Sequence, residues 1–265
     1  TQDTDGVTTM YALEEASLLG PWSLEEAQEL AVAAGSASAD VQIQVACHFA
    51  TTVSPAILRV LLQRQLPERV SLYLARSSRS TLDSTVKELA LRTLYELSSS
   101  SDEKIRELAI LWLPLEGLDY VDVFDQIRKL AIADSSDRIR YNAAVALTHT
   151  DEREFAIEQL LQLQHSQDPV VLMWLAAALG TLPSYQALAR TIWLRLTAMR
   201  EQFDCQVEVL TALAQSYFDE DTKALIVQAL RTTPKLASEL RGLELSRTIL
   251  LRGNEDQDLK LVLLE

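Results

Sequence analysis

Three histidines (His48, His149, His165) and two cysteines (Cys47, Cys205) are the residues of this chain best suited to metal binding or nucleophilic chemistry. No histidine pairs with a second histidine, a cysteine or a carboxylate at i, i+3 or i+4 in a way that suggests a metal site. Cys47 and His48 are adjacent, hence about 100° apart on a helix and badly placed to converge. Asp219-Glu220-Asp221 and Glu255-Asp256-Gln257-Asp258 gather carboxylates as a weak calcium site would, but lack the spacing and glycine of a calcium loop. They read better as acidic, capping turns at helix N-termini. Glycine-rich phosphate loops and the G-x-S-x-G nucleophile motif are missing from the sequence. Arg64, Arg69, Arg76 and Arg79 form the basic concentration of the chain, beside the stretch RSSRSTLDS. Two readings stand there: an anion or acidic-partner contact through Arg69, Arg76 and Arg79, or an exposed loop without a ligand. No catalytic residue, metal site or cofactor is expected.

The elements that must position any such site are helices. The 265 residues include only 7 glycines and 7 prolines, the two residues that helix interiors reject most strongly. Helix punctuation recurs throughout. Ser23 and Glu26 have capping-box spacing, and Gly35 closes the segment they open. Ser100 with Glu103, and Asp151 with Glu154, repeat that spacing. Pro55 and Pro67 sit where a first helical residue would, and Asp168-Pro169 opens a segment that Gly180 ends. No sustained period-two alternation or hairpin turn suggests strands.

With 38 acids against 24 bases, the net charge of −14 opposes a phosphate-binding surface over the whole molecule. The first 60 residues carry eight acids and one base, Arg59. A basic partner could dock there, although acidity that serves solubility explains the same bias. No apolar run approaches the ~18 residues of a membrane span. Both cysteines lie in apolar helical patterns, where burial as free thiols suits a reducing, cytoplasmic setting. The sequence opens on Thr1, which leaves an original targeting segment an open question.

Self-comparison exposes a repeat. DSSDRIRYNAAVAL (134–147) sets an Asp-rich turn before Ile139-Arg140, Ala143-Ala144 and Ala146-Leu147. SDEKIRELAILWL matches it through Ile105, Arg106, Ala109 and Leu113, and DPVVLMWLAAALG through Val171, Ala176 and Leu179. STVKELALRTL matches through Val86, Lys87, Ala90 and Leu94, with weaker echoes at Asp40 and Asp204. The starts at Ile105, Ile139 and Val171 lie 34 and 32 residues apart, the period of a two-helix repeat. The step from Val86 to Ile105 is too short. Either one of these two copies is the other helix of a hairpin, the reading we favour, or the match is accidental. Val, first Ala and Leu of the motif fall within about 80° on a helix, a buried stripe that needs neighbours on both sides.

These segments resemble HEAT-like repeats, and 134–180 resembles the short variety found in phycobilisome-lyase-type proteins. The resemblance implies an all-α solenoid of stacked antiparallel helix hairpins. One domain is then expected over 1–265, clearest in 101–217, with an N-terminal cap at 1–22 and a C-terminal cap at 233–265. It also implies an inter-repeat ladder of Asp102, Arg106, Asp137 and Arg140, broken where Leu172 replaces the arginine.

The positions pointing away from the buried stripe are Glu107 and Leu111, Tyr141 and Val145, and Met173 and Ala177. If inner helices line a concave face, Leu111, Tyr141, Val145 and Met173 form an apolar row that contacts a partner. A register off by one would put them in the core instead. Trp112 is read as core, and Trp22 as sealing the N-terminal cap. The function that fits best is a non-enzymatic scaffold for a protein or peptide partner, with neither nucleic acid nor membrane involved. A bilin-lyase-like subunit acting on a tetrapyrrole-bearing protein is the alternative that the resemblance raises. A nucleic-acid enzyme of HEAT architecture would need a basic concave face, which the acidity opposes.

Overall fold

A computed structural model describes Glu15 and residues 21–113, 121–199, 206–216 and 219–232. The described residues form thirteen α-helices, two short 3-10 turns and no strand. In chain order the helices are α1 (Leu24–Ala34), α2 (Ala39–Thr52), α3 (Pro55–Gln63), α4 (Glu68–Ser78), α5 (Ser84–Leu97) and α6 (Glu103–Trp112). There follow α7 (Val121–Ala133), α8 (Asp137–Leu147), α9 (Arg153–Gln162), α10 (Pro169–Gly180), α11 (Gln186–Ala198), α12 (Gln206–Ser216) and α13 (Glu220–Thr232). The chain divides into two compact units, Thr1–Ile157 and Glu158–Glu265.

Within the first unit, helices stack on the helix two places along. Helices α2, α4, α6 and α8 form one row, and α1, α3 and α5 form another. Hairpin partners α1–α2, α4–α5 and α7–α8 pack across. In the second unit, α10 packs on α11 and α12, and α12 on α11 and α13. The motif copies at Ile105 and Ile139 occupy α6 and α8, in the even row, whereas the Val86 copy is α5, in the odd row. The short step between Val86 and Ile105 is therefore a step between the rows. The stripe is buried as the repeat requires: Ile139, Ala143 and Leu147 in α8, and Val171, Leu175 and Leu179 in α10, are fully shielded. A buried Leu or Ile contributes roughly 1.5–3 kcal/mol, so each helix depends on its neighbours for most of its stability.

Most turns are built from one device. A Ser, Thr or Asp side chain two residues before the last turn residue accepts that residue's N–H, bending the chain into the helix. Thr81 Oγ1 accepts from Asp83 (3.4 Å), Ser100 Oγ from Asp102 (3.1 Å), and Asp134 Oδ1 from Ser136 (2.9 Å). Thr150 Oγ1 accepts from Glu152 and Ser166 Oγ from Asp168, both at 3.1 Å. This shifts two expected capping boxes. Asp102, not Ser100, caps α6 by accepting from Lys104 and Ile105, and Thr150-Glu152 replaces Asp151-Glu154 ahead of α9. The Ser23–Glu26 box and the Ser54-Pro55 and Asp168-Pro169 starts stand as read. Pro67 stands one residue earlier than expected, as the cap of α4. Gly35 keeps ordinary helical φ (−58°). A Cβ there would lie 2.2 Å from Pro67 Cγ, so close approach, not a left-handed turn, demands the glycine.

Candidate functional site

The even row presents one aromatic and cationic cluster, where α4 meets α6. Trp112, the last residue of α6, packs its ring against Tyr73 of α4 (centroids 5.5 Å apart). The Arg76 guanidinium lies 4.4 Å above the same indole. Arg79 Nη1 donates to Trp112 O at 2.6 Å, occupying a carbonyl the helix end leaves open. At the other ends of the two helices, Ser100 Oγ donates to Glu68 (2.7 Å). Contacts that join both N-terminal ends and both C-terminal ends make α4 and α6 parallel neighbours.

Beside the cluster, Leu111 is 58% exposed, the only large hydrophobic so open on an even helix among the described residues. The outward row is thus only partly open. Glu107 is buried and binds Lys104 Nζ (2.8 Å), and Tyr141, Val145 and Met173 are half-buried. Burial pushes the Tyr141 phenol up to about 12. The motif position of Leu111, Val145 and Ala177 is exposed or half-buried, while that of Glu107, Tyr141 and Met173 is half-buried or buried. Trp112 is not core. Its equivalents Ala146 and Ala178 are also half-buried, so a large side chain there extends towards the surface and onto α4.

The inter-repeat ladder is present with different members. Arg106 bridges repeats, holding Asp134 ahead of α8 with Nε and Nη2 (3.1 and 3.3 Å) and donating to Ser100 O and Ser101 O. Arg140 instead closes on its own turn, through Asp137 and Asp134 O. Its reach ends there because Asp137 lies three residues back on the same helix face. Asp102 is a cap, and Asp137 serves Arg140 within its own helix. The odd helices carry a ladder that the sequence did not suggest: Arg59 of α3 pairs with Asp83 before α5, and Arg128 of α7 with Glu152 before α9. Arg190 of α11 pairs with Asp219 before α13 in the same manner. The Arg59 hydrogen bond holds Asp83 below the usual carboxylate range, and the Thr222 N–H does the same for Asp219.

RSSRSTLDS is not a free loop: Arg76–Ser78 end α4, with Ser78 buried. Cys47 is exposed rather than buried, its Sγ 3.4 Å from Ser77 Oγ, and Cys205 lies outside the described residues. Trp22 packs edge-on against His48 and Phe49, as a cap would, while most of 1–22 and all of 233–265, with the Glu255–Asp258 run, lie outside the described residues. Among the described residues no group of three His, Cys, Asp or Glu side chains could hold a metal ion, and no helix is long and apolar enough to cross a membrane.

Compared with known proteins, residues 90–180 match the family model for HEAT repeats, from within α5 to the end of α10. No curated protein and no solved structure matches the chain. HEAT repeats commonly mediate protein–protein interaction. The repeat match covers the clearest motif copies, and around it the described chain is helical throughout. Over residues 90–180 this chain carries HEAT-like helical repeats.

Proposed function

We propose that the protein is a non-enzymatic scaffold that holds a partner protein or peptide on the face formed by the even-numbered helices of its first unit, α2, α4, α6 and α8. The observation that carries this reading is Leu111. An apolar side chain 58% open to water beside a half-buried tryptophan gains nothing from its own fold, and such patches mark contact sites. On α8, which packs beside α6, Tyr141 and Val145 take the outward motif positions and are partly covered; Met173 holds the motif position of Tyr141 in the second unit. The exposed thiol of Cys47 is compatible with a reducing, cytoplasmic setting.

Ile132, on α7, is also 58% exposed and serves as a matched control. Proteins retained by the wild-type chain from lysate of its own cells are to be compared with those retained by Leu111→Asp and Ile132→Asp. The proposal expects one reproducible partner, lost with Leu111→Asp and kept with Ile132→Asp. The reverse pattern would move the interface to the odd helices.

A further inference from the structure

In this acidic chain, most of the arginines whose side chains are described hold a carboxylate or a carbonyl or have another partner. Arg59, Arg92, Arg106, Arg128, Arg140 and Arg190 hold carboxylates. Arg79 and Arg195 hold backbone carbonyls, and Arg138 has a partner as well. Four have neither carboxylate nor carbonyl among the described residues: Arg64, Arg69, Arg76 and Arg153. Two of these, Arg69 and Arg76, stand on α4 on either side of Tyr73. Residues 69, 73 and 76 lie within about 60° of one another around the helix, so they share one face.

Helix stability does not account for Arg69. It is the second residue of α4, where the helix dipole favours an acid over a base. Glu68, the residue before it, accepts from Ser100, and Glu107 of α6 is buried with Lys104. A net charge of −14 makes a solubility role for unpaired cations a poor explanation. The face therefore joins two guanidinium groups that hold no carboxylate or carbonyl among the described residues to an aromatic pair and, one helix along, to exposed Leu111.

We infer that the partner segment held on this face is acidic and carries apolar residues. Arg69 and Arg76 receive its carboxylates, and Tyr73, Trp112 and Leu111 take its apolar side chains. Arginine suits this role because its planar fork meets a carboxylate with two parallel hydrogen bonds. Arg76 can keep its stack on Trp112 while its edge N–H groups turn to the ligand. This inference rests on the scaffold reading and specifies the chemistry of the partner.

The test uses the full chain and two fluorescein-labelled peptides, one of Glu-Glu-Leu triplets and one of Lys-Lys-Leu triplets, read by anisotropy. The Glu peptide should bind, weaken as salt is raised, and lose about tenfold or more in affinity with Arg69→Glu alone and with Arg76→Gln alone. Arg153→Glu should leave binding unchanged, and circular dichroism of each variant should match wild type. The inference is overturned by failure of the Glu peptide to bind, by equal binding of the Lys peptide, or by equal loss with Arg153→Glu. Competition by inorganic phosphate at the same strength would show a simple anion site and also overturn it. So would self-association abolished by Arg69→Glu, since a second copy would then be the occupant. If the Glu peptide fails while Leu111→Asp still abolishes partner capture, the acidic chemistry is wrong and the scaffold reading stands.

Discussion

Helices α6 and α10 are copies of one motif with opposite surfaces. In α6 the motif arginine, Arg106, crosses to Asp134 and covers the carbonyl of Ser100 in the turn before the helix. In α8 Arg140 covers the corresponding carbonyl, that of Asp134. In α10 the arginine is replaced by Leu172, which is fully buried, yet the equivalent carbonyl of Ser166 is not left open. Arg195 reaches it from α11 at 2.7 Å, and Gln164 O at 2.8 Å. What the repeat maintains is a guanidinium on that turn carbonyl, because a shielded carbonyl without a donor costs free energy. The residue that supplies it can change. The outward positions differ as freely: α6 presents Leu111 and Trp112 where α10 presents Ala177 and Ala178.

The largest expected effect comes from removing the bridge at α6. The Arg106 and Asp134 side chains are 14% and 6% exposed, so Arg106→Ala strands a shielded carboxylate and should cost about 3 kcal/mol. Urea denaturation measures it, and a cost near that of an exposed pair would remove the special standing of this link. Next is Arg195→Ala, which uncovers two carbonyls at once and should cost about 2 kcal/mol. Added to it, Leu172→Arg restores the arrangement of α6 and should return about 1 kcal/mol, although Leu172→Arg alone is destabilising because it buries an unpaired charge. Additive losses in the double variant would mean that the two slots are not equivalent. The smallest effect concerns Tyr141. Its phenol is held neutral in the fold to about pH 12, whereas an unfolded tyrosine ionises near pH 10.0. Its contribution is therefore complete below pH 10 and declines as pH rises towards 12. Tyr141→Phe should flatten that decline by about 1 kcal/mol, a figure discounted for partial exposure. An unchanged slope would mean that Tyr141 is as open as Leu111.

The fold was legible because the buried stripe uses side-chain size at fixed spacing, and Ile105, Ala109 and Leu113 state that spacing directly. The ladder was legible only in part. Arg106 and Asp134 are 28 residues apart, and sequence spacing does not say which of several turn carboxylates a long, flexible side chain will reach. Thr150 and Ser166 were missed as turn builders because a serine or threonine two residues before a cap looks like any loop residue. At the site, the outward direction of Leu111 followed from the register. The half-burial of Tyr141 and Met173 did not follow, because the periodicity within one helix does not say what covers its outward positions. Trp112 was misread because a position filled by Ala in two copies looks buried until a larger side chain occupies it.

The face that α6 presents is the central claim. A photo-crosslinking benzoylphenylalanine placed at Leu111, and separately at Ile132, tests it in the cells that make the protein. One discrete crosslinked partner is expected from position 111 and none from position 132. Crosslinks from position 132 alone, or the same products from both positions, would contradict it.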